Sequence, residues 1–247
     1  MGEERIAIIT GAARGIGLAV AKRLAAKGDR IVGIDLQEDL LKKSMASIGD
    51  EKKALAIPAD ISRPEEVEKV FAKIAAEVGT PEVLVNCAGI TGQTGMPAHE
   101  VDLEDFDRVY RINLYAAFLL TRAAVKAMLP AGKGRILHVA SIAGKEGNAG
   151  MLAYSATKAG LIGMVKSAGK DYAETGITIN ALAPAVIRTD MVAAMPDHQV
   201  KYMTDKIPMK RTGELDEAAA MIDFIVSPEC SFTTGFTFDL TGGRATY

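Results

Sequence analysis

The chain has 247 residues, 49% hydrophobic and 24% charged, with a formal net charge of −2, enough apolar sequence for one large α/β domain or two small ones. Neither acidic nor basic runs stand out, which argues against a nucleic-acid partner. Its two cysteines, Cys87 and Cys230, lie far apart without metal-ligand spacing, so neither a metal site nor a structural disulfide is expected, and a reducing cytoplasm is the expected location.

The opening MGEERIAIITGAARG places two acids before a strand-like run and lacks the basic segment, apolar stretch and cleavage site of an export signal. Strand-like runs RIAIIT, RIVGID, ALAIPAD, EVLVNCAG, GRILHVAS and TINALAP then alternate with helix-like segments, and a late GFTFDL supplies a seventh. That alternation predicts one Rossmann-type, doubly wound α/β domain over residues 1–247, a parallel sheet with helices on both faces. The first three runs and the fifth are apolar almost throughout, as strands covered on both faces must be. The most apolar stretch, INLYAAFLLTRAAVKAML, carries Arg122 and Lys126 on helical spacing, which suits a partly buried helix rather than a membrane span. Residues 187–213 are the least regular and are expected to form a substrate lid.

TGAARGIG follows the first strand and opens a helix, putting Gly11, Gly15 and Gly17 where backbone must turn tightly and approach a ligand, with Arg14 and Ile16 between them. Amides at such a helix start can hold a pyrophosphate, although the spacing is not that of the common dinucleotide fingerprint and a ligand-free turn is the alternative. Asp35 ends the second strand, where a carboxylate can accept both ribose hydroxyls of an adenosine. A 2′-phosphate beside it would meet repulsion of about 4 kcal/mol at roughly 4 Å and an effective dielectric of about 20. Leu36 and Gln37 bring no cation to offset it, so NAD is expected rather than NADP, with Arg14 the one dissenting feature. At the third strand end Asp60, followed by Ile61, either meets the adenine ring or caps the helix that begins near Pro64. Asn86, Ala88 and Gly89 in NCAG either let backbone approach a ribose or simply end the fourth strand.

Asn113 is a polar residue inside an apolar helical pattern, placed to hold a water or a local distortion. Ser141 stands at the C-terminal end of the fifth strand, where open α/β sheets bind ligands. Tyr154 and Lys158, four apart, share a helix face. A free tyrosine has a pKa near 10, and lowering it to about 7 takes roughly 4 kcal/mol of preferential stabilisation of the anion. The Lys158 ammonium and a positively charged nicotinamide can supply that, making Tyr154 the acid or base and Ser141 the group that orients the substrate oxygen. Taken singly, each has a plain alternative: surface tyrosine, helix-face lysine, strand-end serine, core asparagine.

Together, T-G-x-x-x-G-x-G, N-x-A-G, the helical asparagine, the strand-end serine and Y-x-x-x-K thirteen residues later resemble the short-chain dehydrogenases/reductases over essentially the full length. The resemblance implies hydride transfer between an alcohol carbon and nicotinamide, with Tyr154 moving the proton, Lys158 lowering its pKa and binding the ribose, Ser141 holding the oxygen and Asn113 supporting a relay. It also implies a homotetramer built partly on the helices carrying Asn113 and Tyr154. The family's P-G-x-[IV]-x-T reads PAVIRT here: Ile187 and Thr189 match as cofactor neighbours, but Ala185 stands in the glycine position, where it would disfavour positive φ.

For the substrate, the loop IAGKEGNAG supplies Lys145 and Asn148, while Arg188 and Arg244 add cations. All are candidate contacts to a small, hydroxylated anion, and each of the three bases is alternatively a solvated surface group. The IAGKEGN loop and TGGRATY ending look like the branch that oxidises sugar acids such as 2-keto-3-deoxy-L-rhamnonate or 2-keto-3-deoxy-L-fuconate. The alternatives are a 3-oxoacyl-(acyl carrier protein) reductase and, from another class, a nucleotide-sensing module without catalysis.

Overall fold

Side chains alternate across a strand, and strand β1, Ile6–Thr10, divides accordingly: Ile6 and Ile8 enter one core, Ala7 and Ile9 the other. The computed structural model describes residues 4–245 and 247. After β1 come β2 (Arg30–Asp35), β3 (Ala54–Pro58), β4 (Val83–Asn86), β5 (Gly134–Val139), β6 (Ile177–Pro184) and β7 (Thr237–Leu240). They form one seven-stranded sheet in the order β3-β2-β1-β4-β5-β6-β7, and every pairing is parallel.

Two layers of helix cover the sheet, as a parallel sheet requires. One core holds α3 (Pro64–Glu77), α5 (Ala116–Met128) and α7 (Leu152–Asp171) against β residues such as Ile8, Leu84 and Ile136. The other holds α1 (Gly15–Ala26), α2 (Glu38–Ala46) and α10 (Leu215–Ile225) against Ile9, Val85 and Leu182. Local sequence sets the helix starts: Pro64 opens α3, and Glu214 with Glu217 forms a capping box on α10. Asp102 accepts from the Asp105 amide to begin α4, Leu103–Tyr110.

Two expectations change. The third run, read as covered on both faces, is the edge strand β3, with three of its five residues partly or fully exposed, because nothing among the described residues pairs on its far side. Residues 187–213, read as irregular, contain α8 (Asp190–Ala193) and α9 (Asp197–Asp205). The helical stretch Leu103–Ala131 is long and apolar enough to cross a membrane by length and composition, but half of its most apolar window is buried in the fold. That apolar face packs on the sheet, on α3 and on α7.

In the order above, β1 is continued by β2 on one side and by β4 on the other. This is the switch point at which an open α/β sheet leaves a crevice beyond its strand C-termini. Thr10, Asp35, Asn86 and Val139 all end strands on that rim. Helix α7, which carries Tyr154 and Lys158, is pressed hard against the chain entering β7. A Cβ at Gly169 would lie 2.3 Å from the Gly235 amide nitrogen and 2.5 Å from its Cα. Replacing Gly169 with alanine is therefore expected to lower stability by about 1–3 kcal/mol, read as a shift of the urea midpoint. Gly160→Ala should cost less, since its added carbon meets only the flexible end of Leu114.

Candidate active site

Past Thr10 the chain turns through Gly11 at φ +65° and Gly15 at φ +57°, conformations that L side chains rarely adopt. Gly17 has ordinary dihedrals but no room: its Cβ would sit 2.2 Å from the Gly11 carbonyl oxygen. No side chain caps α1 and no acid lies in its first turn, which leaves its leading amides without a protein acceptor and suited to a phosphate. Asp35 braces the loop, its two carboxylate oxygens accepting from the Ala13 amide at 3.1 Å and the Gln37 amide at 3.0 Å.

These residues surround a cleft of about 470 Å³. Gly11, Arg14, Gly15, Ile16 and Gly17 line it, and Asp35, Asp60, Ile61, Ala88, Gly89 and Thr189 are among the other lining residues. Among the described residues, Arg14 is the one cation lining it. A glycine-cradled phosphate position beside a strand-end carboxylate fits an adenine dinucleotide. Asp60 does not cap α3: it accepts from the amide and hydroxyl of Ser62, while the N-cap residue is Arg63, without a side-chain bond. Ile187 lies outside the cleft lining, its side chain against Gly213. Ala185 keeps negative φ, so the missing glycine strains nothing there.

Asn86 ends β4 with its side chain in the core. It accepts from the Thr10 hydroxyl at 2.5 Å and contacts His138 Nδ1 at 3.2 Å. If the Asn86 amide donates to Nδ1, His138 Nε2 carries the proton toward Thr121 Oγ1 at 2.9 Å, and the Thr121 hydroxyl donates to the Ala117 carbonyl. Burial pushes the His138 pKa down to about 3, and the Lys158 charge adds to that, which keeps the ring neutral. The Ala88 amide donates to Thr10 Oγ1, so this buried chain fixes the cleft wall. Thr10, Thr121 and His138 received no role from sequence; a histidine inside the apolar run RILHV was the available signal.

Outside the cleft lining, past Gly89, Ser141 follows β5 and its hydroxyl accepts from the Ala143 amide at 3.1 Å. Lys158 is 4% exposed. Its ammonium donates to the Val139 carbonyl at 2.7 Å and lies 5.7 Å from the centre of the Tyr154 ring. Arg111–Tyr115, between α4 and α5, forms a π-helical turn, an uncommon distortion often found at functional sites. It presents Asn113, whose carbonyl oxygen accepts from the Ile90 amide and whose amide donates to the Ile90 carbonyl, both at 2.8 Å, and to Thr157. Gly89 joins the two ends: a Cβ there would lie 3.1 Å from Asn113 Oδ1 and 3.3 Å from Lys158 Nζ.

The ligand-free electrostatics define the resting state of the pair. Burial raises the Tyr154 pKa above 10, and the neighbouring Ser141 hydroxyl only partly opposes it. In the ligand-free chain Tyr154 is therefore a protonated phenol, not a phenolate prepared by Lys158. Burial also lowers Lys158 to about 8. The Cys87 thiol, held up to about 12 by its own burial, stays neutral at physiological pH and offers no counter-charge.

The substrate candidates separate as well. Lys145 bonds Asp239 at 2.7 Å, and Arg244 bonds Glu146 at 2.7 Å and the Asn148 side-chain oxygen at 3.2 Å. These three are engaged within the chain rather than presented to a ligand. Arg188 is exposed and makes no ion pair among the described residues.

A protein-family profile described as enoyl-(acyl carrier protein) reductase matches residues 11–244. A 2-dehydro-3-deoxy-L-rhamnonate dehydrogenase (NAD(+)) from Sphingomonas sp. (strain SKA58) is 45% identical, over 98% of this chain and 96% of that protein. A 3-oxoacyl-[acyl-carrier-protein] reductase from Vibrio cholerae is 36% identical, over 98% and 97%. Among solved structures, a variant actinorhodin polyketide ketoreductase with NADPH superposes with a TM-score of 0.93 at 30% identity, covering 99% of this chain and 98% of that one.

Lys158 gives a pH-dependent stability. Its folded pKa of about 8 lies below the ordinary 10.5, so between those values the unfolded chain binds more protons and stability rises with pH. At about 1.4 kcal/mol per tenfold change in the proton equilibrium, burying the charged form costs roughly 3 kcal/mol at neutral pH. Lys158→Met is expected to unfold at higher denaturant than the wild-type chain at pH 7, with the gap closing as pH rises through about 8 toward 10.5.

Proposed function

We propose that this chain, which belongs to the short-chain dehydrogenase/reductase family, is an NAD-dependent oxidoreductase acting on a secondary alcohol of a small sugar acid such as 2-keto-3-deoxy-L-rhamnonate. The observation that carries the reaction class is the convergence of Ser141, Tyr154 and Lys158 at the end of β5, beside a glycine-cradled cleft closed by Asp35. The substrate reading rests on the 45% identity to a rhamnonate-pathway dehydrogenase over nearly both whole chains.

Bound NAD supplies the carbon that accepts hydride and a positive charge at the nicotinamide. Ser141 hydrogen-bonds the substrate oxygen and keeps it facing the Tyr154 hydroxyl. Tyr154 takes the alcohol proton as the carbonyl forms and returns it in reduction. Since burial alone holds the phenol protonated, proton removal from Tyr154 depends on nearby positive charge, and Lys158, fixed by Val139, is the group the chain contributes. Lys158 also reaches toward the cofactor ribose across the gap left by Gly89. Asn113, held by Ile90 on the π-helical turn, orders the water path behind Lys158.

Asp35 selects NAD by its charge at the adenosine ribose, and Arg14 alone does not offset that charge for a 2′-phosphate. Residues 187–213, starting beside Thr189 at the cleft, serve as the lid. The protein works as a cytoplasmic homotetramer, a reading supported by the exposed Tyr110 and Phe118 on the Asn113 helices and Leu152 on α7.

Steady-state turnover with 2-keto-3-deoxy-L-rhamnonate and 2-keto-3-deoxy-L-fuconate, followed by NADH absorbance, tests the reading. The expected result is turnover with kcat/KM at least about tenfold higher for NAD than for NADP. No turnover of sugar acids alongside brisk acetoacetyl thioester reduction by NADPH would instead mark a 3-oxoacyl-(acyl carrier protein) reductase. Tyr154→Phe should lower kcat by about 10²- to 10⁴-fold while NADH still binds; undiminished turnover in that variant would exclude Tyr154 as the proton carrier.

A further inference from the structure

Residues that looked like substrate contacts are instead locked in a strap between the end of the chain and the loop after Ser141. Adjacent residues of the short helix α6, Ala143–Glu146, make two ion pairs of opposite polarity. Lys145 donates to Asp239 on β7 at 2.7 Å, while Glu146 accepts from Arg244 at 2.7 and 2.9 Å. The side chains of Lys145 and Arg244 are only 12% and 11% exposed, so these pairs are better shielded than ordinary surface bridges. The Lys145 ammonium also meets the Tyr247 carbonyl, and the Tyr247 hydroxyl reaches back to the Lys145 carbonyl at 3.4 Å.

The strapped loop touches both ends of the catalytic pair. The Ala143 amide, in the first turn of α6, donates to Ser141 Oγ. Asn148, which accepts from Arg244 at 3.2 Å, donates its own amide to Ser155 Oγ, next to Tyr154. Arg244 thus bonds two points of the segment that spans from Ser141 to α7.

We propose that Arg244 is a positioning residue which, by holding Glu146 and Asn148, sets the segment 142–148 and with it the placement of Ser141 against Tyr154. This rests on the reading of those two residues as the pair that handles the substrate oxygen and its proton. Arg244 touches neither substrate nor cofactor in this role, and it acts within its own chain.

The test uses the full chain with Arg244→Ala, Glu146→Ala and the exchanged pair Arg244→Glu/Glu146→Arg. Amide hydrogen exchange over residues 142–148 is measured by mass spectrometry, alongside NADH binding by fluorescence and kcat on 2-keto-3-deoxy-L-rhamnonate. Each single variant is expected to speed exchange in that segment about tenfold and to lower kcat about tenfold, as small misplacements of reacting groups do. NADH affinity should stay within about twofold, and the exchanged pair should recover most of both losses. Normal exchange in Arg244→Ala, or an exchanged pair no better than the single variants, would overturn the proposal. Should Arg244→Ala not fold, Asn148→Ala probes the same link, with faster exchange supporting it and no change refuting it. Ser141→Ala keeps the two readings apart: an inactive Ser141→Ala beside a normal Arg244→Ala sinks the strap alone, while a fully active one sinks the reading of the site.

Discussion

A buried ammonium organises this site. Lys158 has lost nearly all its water and keeps one fixed protein partner, the Val139 carbonyl at the end of the fifth strand. Burial of that kind disfavours the charged form of any group. It lowers Lys158 and, for the same reason, raises Tyr154 and Cys87. The ligand-free site is thus a place where ionic charge is poorly tolerated, and a phenolate becomes accessible only when further positive charge arrives. In the empty cleft, therefore, Tyr154 rests as the neutral phenol.

The rest of the architecture serves to hold that ammonium in place. β5 is locked between β4 and β6, so the Val139 carbonyl cannot drift. The neutral histidine beneath it, bonded to Asn86 and Thr121, ties the same strand to β4 and α5. The π-helical turn brings Asn113 close enough to bond both atoms of the Ile90 peptide unit, and Gly89 leaves the space between Asn113 and Lys158 open. A regular α-helix through Arg111–Tyr115 would turn Asn113 to a different bearing, so the distortion is part of the site's geometry.

What the sequence made legible was whatever depends on local periodicity. All seven strands follow from short apolar runs, and the glycine loop and the Tyr154–Lys158 pair follow from spacing along one element. What depended on distant parts of the chain meeting was hidden. The partners of Lys145 and Arg244 lie 94 and 98 residues away along the chain, so those bases read as free cations. The edge position of β3 depends on sheet order, which no run announces. The buried partners of the Asn86 side chain, Thr10 and His138, lie 76 and 52 residues away along the chain and were equally hidden. Helical spacing likewise reveals the cation beside Tyr154 but not the loss of water around the phenol, which raises its pKa in the ligand-free chain.

Cofactor preference follows from the same logic of fixed charge in limited water. Asp35 is not a loose surface acid, since both of its oxygens are engaged by backbone amides of Ala13 and Gln37. It therefore cannot swing away to admit a phosphate without releasing the loop that cradles the dinucleotide. Arg14, the backbone N-cap residue of α1, also lines the cleft, exposed and without a side-chain cap bond. Pairing such a cation with a fixed anion has its own entropic cost. The carboxylate at this end of the cleft is thus fixed by the loop it braces, and loosening the Ala13 contact would free charge and loop together.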